Sequence, residues 1–198
     1  MVLFSSLLSL STTTRFILIE THHAGNVGAT ARAMKTMGFS DLVLVNPRDR
    51  KVLNRVRTKE SASGALDVLE NTQIFDSLEE ALAEDIEGRS TQTSVICGTG
   101  MPHDMYRTRP EREYCSPREY FQKLLDGQVS GDSLNNMNNK GLHVTLLFGN
   151  EKRGMKEEDM DRASVVLGIP TNPLFGSLNL ASAVQLIAYD WREALGGF

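Results

Sequence analysis

The chain has 198 residues and a mass of 21.9 kDa, the size of a single α/β domain. With 40% apolar and 23% charged residues, 16 glycines and 6 prolines, it is neither disordered, fibrous nor a disulfide-stapled miniprotein, and no apolar run approaches the ~18 residues of a membrane span. A net charge of −4 and a pI near 5.6 argue mildly against a nucleic-acid partner, whose binding domains are usually basic.

Met1 to Thr14 is apolar and hydroxyl-rich, without the basic start or cleavage site of a secretory signal. It is expected to be a tail before one domain spanning residues 15–198. Phe16–Glu20 reads as a strand, Gly25–Met37 as a helix, and Leu42–Val45 as a second strand stopped by Asn46-Pro47. A helix is predicted near Lys59–Leu69, a short strand at Gln73–Phe75, an acidic helix from Ser77 and a buried strand at Thr93–Cys97. Asp126–Lys140 is rich in Asn, Gly and Ser and reads as a surface loop. Strands at Val144–Phe148 and Ser164–Ile169 follow. A closing helix over Leu178–Leu195 puts Leu180, Ala183, Val184, Ile187, Ala188, Trp191 and Leu195 on one stripe.

Uniformly apolar strands separated by helices predict an α/β fold with a mostly parallel sheet covered on both faces. Cys97 and Cys115 match no redox or metal spacing, and the four histidines join no ligand set. A reduced, cytoplasmic setting without a metal is the expectation.

Ligands of such sheets bind at the carboxyl ends of strands, so three strand-to-loop junctions matter most. After the first strand, Gly25, Asn26 and Gly28 open a helix that carries Arg32. The dinucleotide fingerprint is absent there, and Asn26 acting only as an N-cap is the plain structural alternative. After a late strand, Gly149, Glu151 and Gly154 form a Gly-x-Glu-x-x-Gly loop, which lets backbone approach a ligand while presenting one carboxylate. Before the last helix, Ile169-Pro170 leads through Gly176 to Ser177-Leu178-Asn179, with Ser177 as a candidate cap.

These three motifs, in this order, resemble those of the SpoU/TrmH class of SPOUT RNA methyltransferases, and most closely the TrmJ-like branch of tRNA ribose 2′-O-methyltransferases. The matching residues are 16–48, 93–101 and 143–195, about half the chain. The resemblance implies a deep C-terminal trefoil knot, bound S-adenosylmethionine, a homodimer with shared active sites, and no membrane. By position, Thr99, Gly100, Met101, Gly149, Ile169, Gly176, Ser177 and Leu178 would cradle the cofactor. It also implies action on the pyrimidine at position 32 of the tRNA anticodon loop. Alternatives are another tRNA or rRNA ribose, or a catalytically idle RNA-binding homologue.

Family comparison makes Arg32 the key residue. A guanidinium stays protonated, so Arg32 is expected to grip the phosphate beside the target ribose and stabilise the developing alkoxide, the proton passing to a phosphate oxygen or to Arg32 itself. Asn26 and Asn179 would orient Arg32 or the substrate, Glu151 would hold the arginine in place, and Ser177 would bridge cofactor and substrate.

The acidic total conceals a segregation of charge. Arg48, Arg50, Lys51, Arg55, Arg57 and Lys59 stand against the single acid Asp49, whereas residues 64–94 carry eight acids against one base. The basic run is the candidate RNA surface, with Arg107, Arg109 and Arg112 as a possible extension. Weak, salt-sensitive tRNA binding is the expectation. Branch members commonly continue with further helical sequence where this chain ends at Phe198, so a minimal or trimmed catalytic domain is expected. The wording after Cys97, Gly-Thr-Gly-Met-Pro, departs from the branch and leaves nucleotide choice open.

Overall fold

A computed structural model of the chain describes residues 12–88, 92–100, 114–128 and 141–198. Met101, the arginines 107, 109 and 112, and residues 129–140 of the expected polar loop lie outside the described residues.

The strands β1 (Thr12–Ile19), β2 (Asp41–Val45), β3 (Gln73–Phe75), β4 (Thr93–Gly100), β5 (Tyr114–Cys115), β6 (Leu142–Phe148) and β7 (Val165–Gly168) form one sheet in the order β3-β2-β1-β6-β4-β7-β5. Every pairing is parallel. The helices are α1 (Ala24–Thr36), α2 (Val56–Ala62), α3 (Leu66–Glu70), α4 (Leu78–Gly88), α5 (Pro117–Leu125), α6 (Glu157–Met160) and α7 (Leu180–Ala194).

Alternation along the strands sends side chains to both faces, and both faces are buried. Phe16 and Leu18 of β1 join the larger core with Val27 and Met34 of α1 and Val184, Ile187 and Trp191 of α7. Ile17 and Ile19 join the smaller core with Leu78, Ala81 and Leu82 of α4. The α/β architecture read from the sequence is therefore present. Helix α1 lies tightly on α2: a Cβ on Gly28 would sit 1.9 Å from the Thr58 carbonyl oxygen.

Several boundaries differ from the expected ones. Strand β1 begins at Thr12, and Thr12–Thr14 pair with Leu142–Val144, so these three residues belong to the sheet and not to a tail. The single helix expected over Lys59–Leu69 is two, because Ser63 takes a left-handed φ of 52° and ends α2. Strand β4 runs on to Gly100, where Thr99 and Gly100 pair with Leu167 and Gly168. Strand β5 and helix α5 were not foreseen. A Ser116-Pro117 start with Glu119 is a capping signal for α5, and the Ser116 side chain accepts from the Glu119 N–H.

Buried polar groups tie α4 to the sheet. His143 Nε2 lies 2.9 Å from Asp85 Oδ2, which also accepts from Thr145, while Arg15 pairs with Asp41 and Glu84. This network sits at the amino ends of the strands and leaves the carboxyl ends to the pocket described next.

Candidate active site

At the carboxyl end of β1 the chain turns sharply. Glu20 has a φ of 51°, a costly value for a side-chain-bearing residue, and its conformation is held from several sides. Its N–H donates to the Val45 carbonyl, its carbonyl accepts from Asn150 Nδ2 at 2.7 Å, and its carboxylate pairs with Lys156 at 2.6 Å. The next residues, Thr21–His23, lead into α1, whose N-cap is His23. Asn26 therefore lies inside the first turn and is not the cap.

The loop after β6 folds back on itself. Asn150 and Gly154 exchange backbone hydrogen bonds at 2.9 and 2.8 Å, and Gly154 adopts a φ of +71°. Gly149 is required by contact, since a Cβ there would meet Met155 N at 2.3 Å. The tight loop delivers Glu151 to the β1–α1 turn. Glu151 Oε1 accepts from Thr21 Oγ1 (2.9 Å), His23 N (3.1 Å) and Asn26 Nδ2 (2.9 Å), and Oε2 accepts from His22 N (2.8 Å). Burial pushes the Glu151 carboxyl upward, but the Asn26 amide and the His22 and His23 N–H groups outweigh it and hold it below its ordinary value.

The segment before α7 completes the cluster. Asn179, not Ser177, caps α7, accepting from the Ala181 N–H at 3.0 Å, and the helix proper begins at Leu180. The same Asn179 donates from Nδ2 to Asn26 Oδ1 at 2.9 Å. Asn179, Asn26 and Glu151 thus form one hydrogen-bonded chain across all three motifs.

A cavity of about 530 Å³ opens beside this chain, within the roughly 300–1,000 Å³ of small-molecule sites. Thr99, Gly100, Gly149, Ile169, Gly176, Ser177 and Leu178 line it, as does Glu151. Its apolar wall includes Leu167, Leu180 and Ile187. Tyr114, Lys152 and Arg153 also line it and were not singled out in the sequence. The Thr99 hydroxyl is committed to the Leu147 carbonyl at 2.8 Å, so Thr99 shapes the cavity through the sheet.

Arg32 stands apart from these residues. It is exposed on α1 and its guanidinium has no hydrogen bond or ion pair among the described residues. The expectation that Glu151 holds Arg32 is thereby corrected: the carboxylate is spent on the β1–α1 turn. Of the basic run, Arg48, Arg50, Lys51, Arg55, Arg57 and Lys59 are all exposed. Arg50 pairs with Asp76, and Arg55 with Asp49 at 2.5 Å. Arg57 packs over the start of α1, its Nε 3.4 Å from where a Gly25 Cβ would be. Among the described residues no group of three or more His, Cys, Asp or Glu forms a metal cluster, and no helix is long and apolar enough to cross a membrane.

Residues 13–189 match the model of the SpoU rRNA Methylase family. The tRNA (cytidine/uridine-2′-O-)-methyltransferase TrmJ of Photorhabdus laumondii is 38% identical over 181 residues, covering 91% of this chain and 64% of the relative. The chain thus spans just under two thirds of that relative's length. Among solved structures, a probable methyltransferase from Bordetella pertussis Tohama I aligns with a TM-score of 0.73 and 35% identity over 96% of this chain and 98% of its own. TrmJ from Z. mobilis ZM4 aligns with a TM-score of 0.70 and 31% identity over 92% of this chain and 70% of its own.

Proposed function

Because the chain belongs to the SpoU rRNA methylase family, we propose that it is an S-adenosylmethionine-dependent RNA ribose 2′-O-methyltransferase acting on the pyrimidine at position 32 of the tRNA anticodon loop. The observation that carries this reading is the joining of the three motifs by the Asn179–Asn26–Glu151 hydrogen bonds, with Glu151 also on the wall of the cavity that the second and third motifs line.

The cavity suits the cofactor. Gly100, Gly149 and Gly176 line it without side chains, and Leu167, Ile169, Leu180 and Ile187 offer an apolar wall to an adenine ring. Thr99, Gly100, Gly149, Ile169 and Gly176–Leu178 would hold it. When bound, S-adenosylmethionine supplies a methyl group on a sulfonium, which an in-line oxygen nucleophile accepts. The protein's tasks are then to align the ribose hydroxyl and to assist its deprotonation.

Arg32 performs the second task by binding the phosphate next to the ribose and stabilising negative charge on the 2′-oxygen. A phosphate oxygen takes the proton, because a guanidinium offers donors only. Asn26 and Asn179 position the ribose, and Glu151 fixes the turn that carries Asn26. Ser177, on the cavity wall, bridges the two substrates.

Arg32 reaches no member of its own cluster, and this favours a homodimer in which it serves the cavity of a second copy. The dimer face would include Leu174 and Phe175, 93% and 77% exposed, with Leu186 and Tyr189 of α7. The reading also includes a trefoil knot formed by residues 169–179 and the loop after β6, both of which line the cavity. A cytoplasmic location accords with a tRNA substrate.

Mass-spectrometric mapping of 2′-O-methyl groups tests the function, in cells with and without the gene and in an unmodified tRNA transcript incubated with the purified chain. A gene-dependent methyl at position 32 is the expected result. A methyl at a different ribose overturns the site, and no RNA methylation overturns the activity.

A further inference from the structure

The loop Asn150–Gly154 has a feature that the cluster around Glu151 does not use. Two cations, Lys152 and Arg153, stand at its tip, and both line the cavity mouth and are exposed. Neither makes an ion pair among the described residues. The adjacent Glu151 carboxylate forms no ion pair with them, its oxygens accepting from Thr21, His22, His23 and Asn26 instead. The next cation along, Lys156, is different: it pairs with Glu20 at 2.6 Å and lies 3.8 Å from Glu158.

The tip is also rigid. Backbone bonds between Asn150 and Gly154 close it, and Asn150 Oδ1 fixes the Lys152 N–H at 2.8 Å. Two unpaired cations on a closed loop break no ion pair on gripping an anion, whereas Arg50 and Arg55 of the basic run must first leave Asp76 and Asp49. Besides Glu151, the carboxylate lining the cavity among the described residues is Glu157, which has a partner of its own.

We propose that Lys152 and Arg153 bind the phosphates flanking the nucleotide whose ribose enters the cavity, forming an RNA contact separate from the basic run. This rests on the reading of the cavity as an RNA methyltransferase site. The partner chemistry is a polyanionic backbone, read through charge and independent of base sequence.

The test uses the full chain and an unmodified tRNA transcript, with binding measured over a series of salt concentrations. Each phosphate contact contributes roughly 0.7–0.9 to the slope of log K against log salt. The double variant Lys152→Ser/Arg153→Ser is expected to lower that slope by about 1.4–1.8 and to weaken tRNA binding roughly tenfold near 0.1 M salt. Calorimetric affinity for S-adenosylmethionine should stay within about twofold, and the charge-preserving variant Lys152→Arg/Arg153→Lys should restore the slope. An unchanged slope in the serine variant, with the wild type binding and methylating tRNA, overturns this inference alone. A loss of cofactor affinity at unchanged slope also overturns it, assigning the cations to the cofactor. A wild-type chain that neither binds nor methylates tRNA overturns the functional reading together with this one.

Discussion

Asn179 Nδ2 donates to Asn26 Oδ1 at 2.9 Å, joining two residues 153 positions apart in the chain. The bond settles the orientation of both amides. With its oxygen occupied by Asn179, Asn26 turns its Nδ2 toward Glu151, and Glu151 in turn holds the strained turn after β1. The site is therefore organised before any ligand arrives, which is where a transfer reaction that depends on alignment gains most.

Glu151 is the hub, and its replacement by glutamine should be costly despite the equal size. An amide nitrogen in place of Oε2 would face the His22 N–H, donor against donor, leaving a part-buried group unpaired at about 1–3 kcal/mol. Because the folded carboxyl is held below its ordinary value, its stabilising contribution is complete above about pH 4.3 and is lost as the pH falls through the lower folded value. Urea titrations should show a wild-type advantage over Glu151→Gln that is constant near neutrality and shrinks on acidification.

Arg32 is exposed and its guanidinium makes no hydrogen bond or ion pair among the described residues, so its replacement should spare the fold. Arg32→Lys keeps one positive charge and loses the planar fork that suits a phosphate. A fall in kcat of about 10²–10³ is expected, with S-adenosylmethionine affinity within about twofold and an unchanged melting temperature. Single-turnover methylation and calorimetry measure both, and retained turnover would remove Arg32 from the mechanism.

Most strands and the three motif loops were legible in the sequence because short-range signals encode them, whereas the order of the strands in the sheet is set by long-range pairing. Apolar runs such as Leu42–Val45 mark doubly buried strands, and Gly149 and Gly154 mark a tight loop. The use of Glu151 was not legible. A carboxylate beside a basic motif suggests an ion pair, yet the fold brings three N–H-bearing groups and a hydroxyl from residues 21–26 to it instead, a proximity that no local pattern specifies. The threonines 12–14 were missed for a related reason: polar residues at a strand's start resemble a tail until their pairing with β6 is known.

One buried group is a small defect in the frame of α1. The Thr30 side chain is fully buried, and its hydroxyl has no hydrogen-bond partner among the described residues. Thr30→Val keeps the shape and removes the unpaired polar atom, so a gain of about 1 kcal/mol in unfolding free energy is expected. Chemical denaturation reads this directly, and a loss of stability would show that the hydroxyl has a bound-water partner.

Asn179 has two jobs that a pair of variants separates. Its Oδ1 caps α7 and its Nδ2 orients Asn26. Serine is as good a cap as asparagine, whereas alanine forfeits about 1 kcal/mol of helix stabilisation. Asn179→Ser should therefore keep the helix cap while losing the amide bond to Asn26, which frees that side chain to rotate away from Glu151. Asn179→Ala should lose both. A neutral hydrogen bond is worth about 1 kcal/mol, so turnover should fall roughly fivefold to tenfold in both variants, while the alanine variant, which also loses the cap, melts earlier than the serine variant. If Asn179→Ser keeps full turnover, the residue is a helix cap and nothing more.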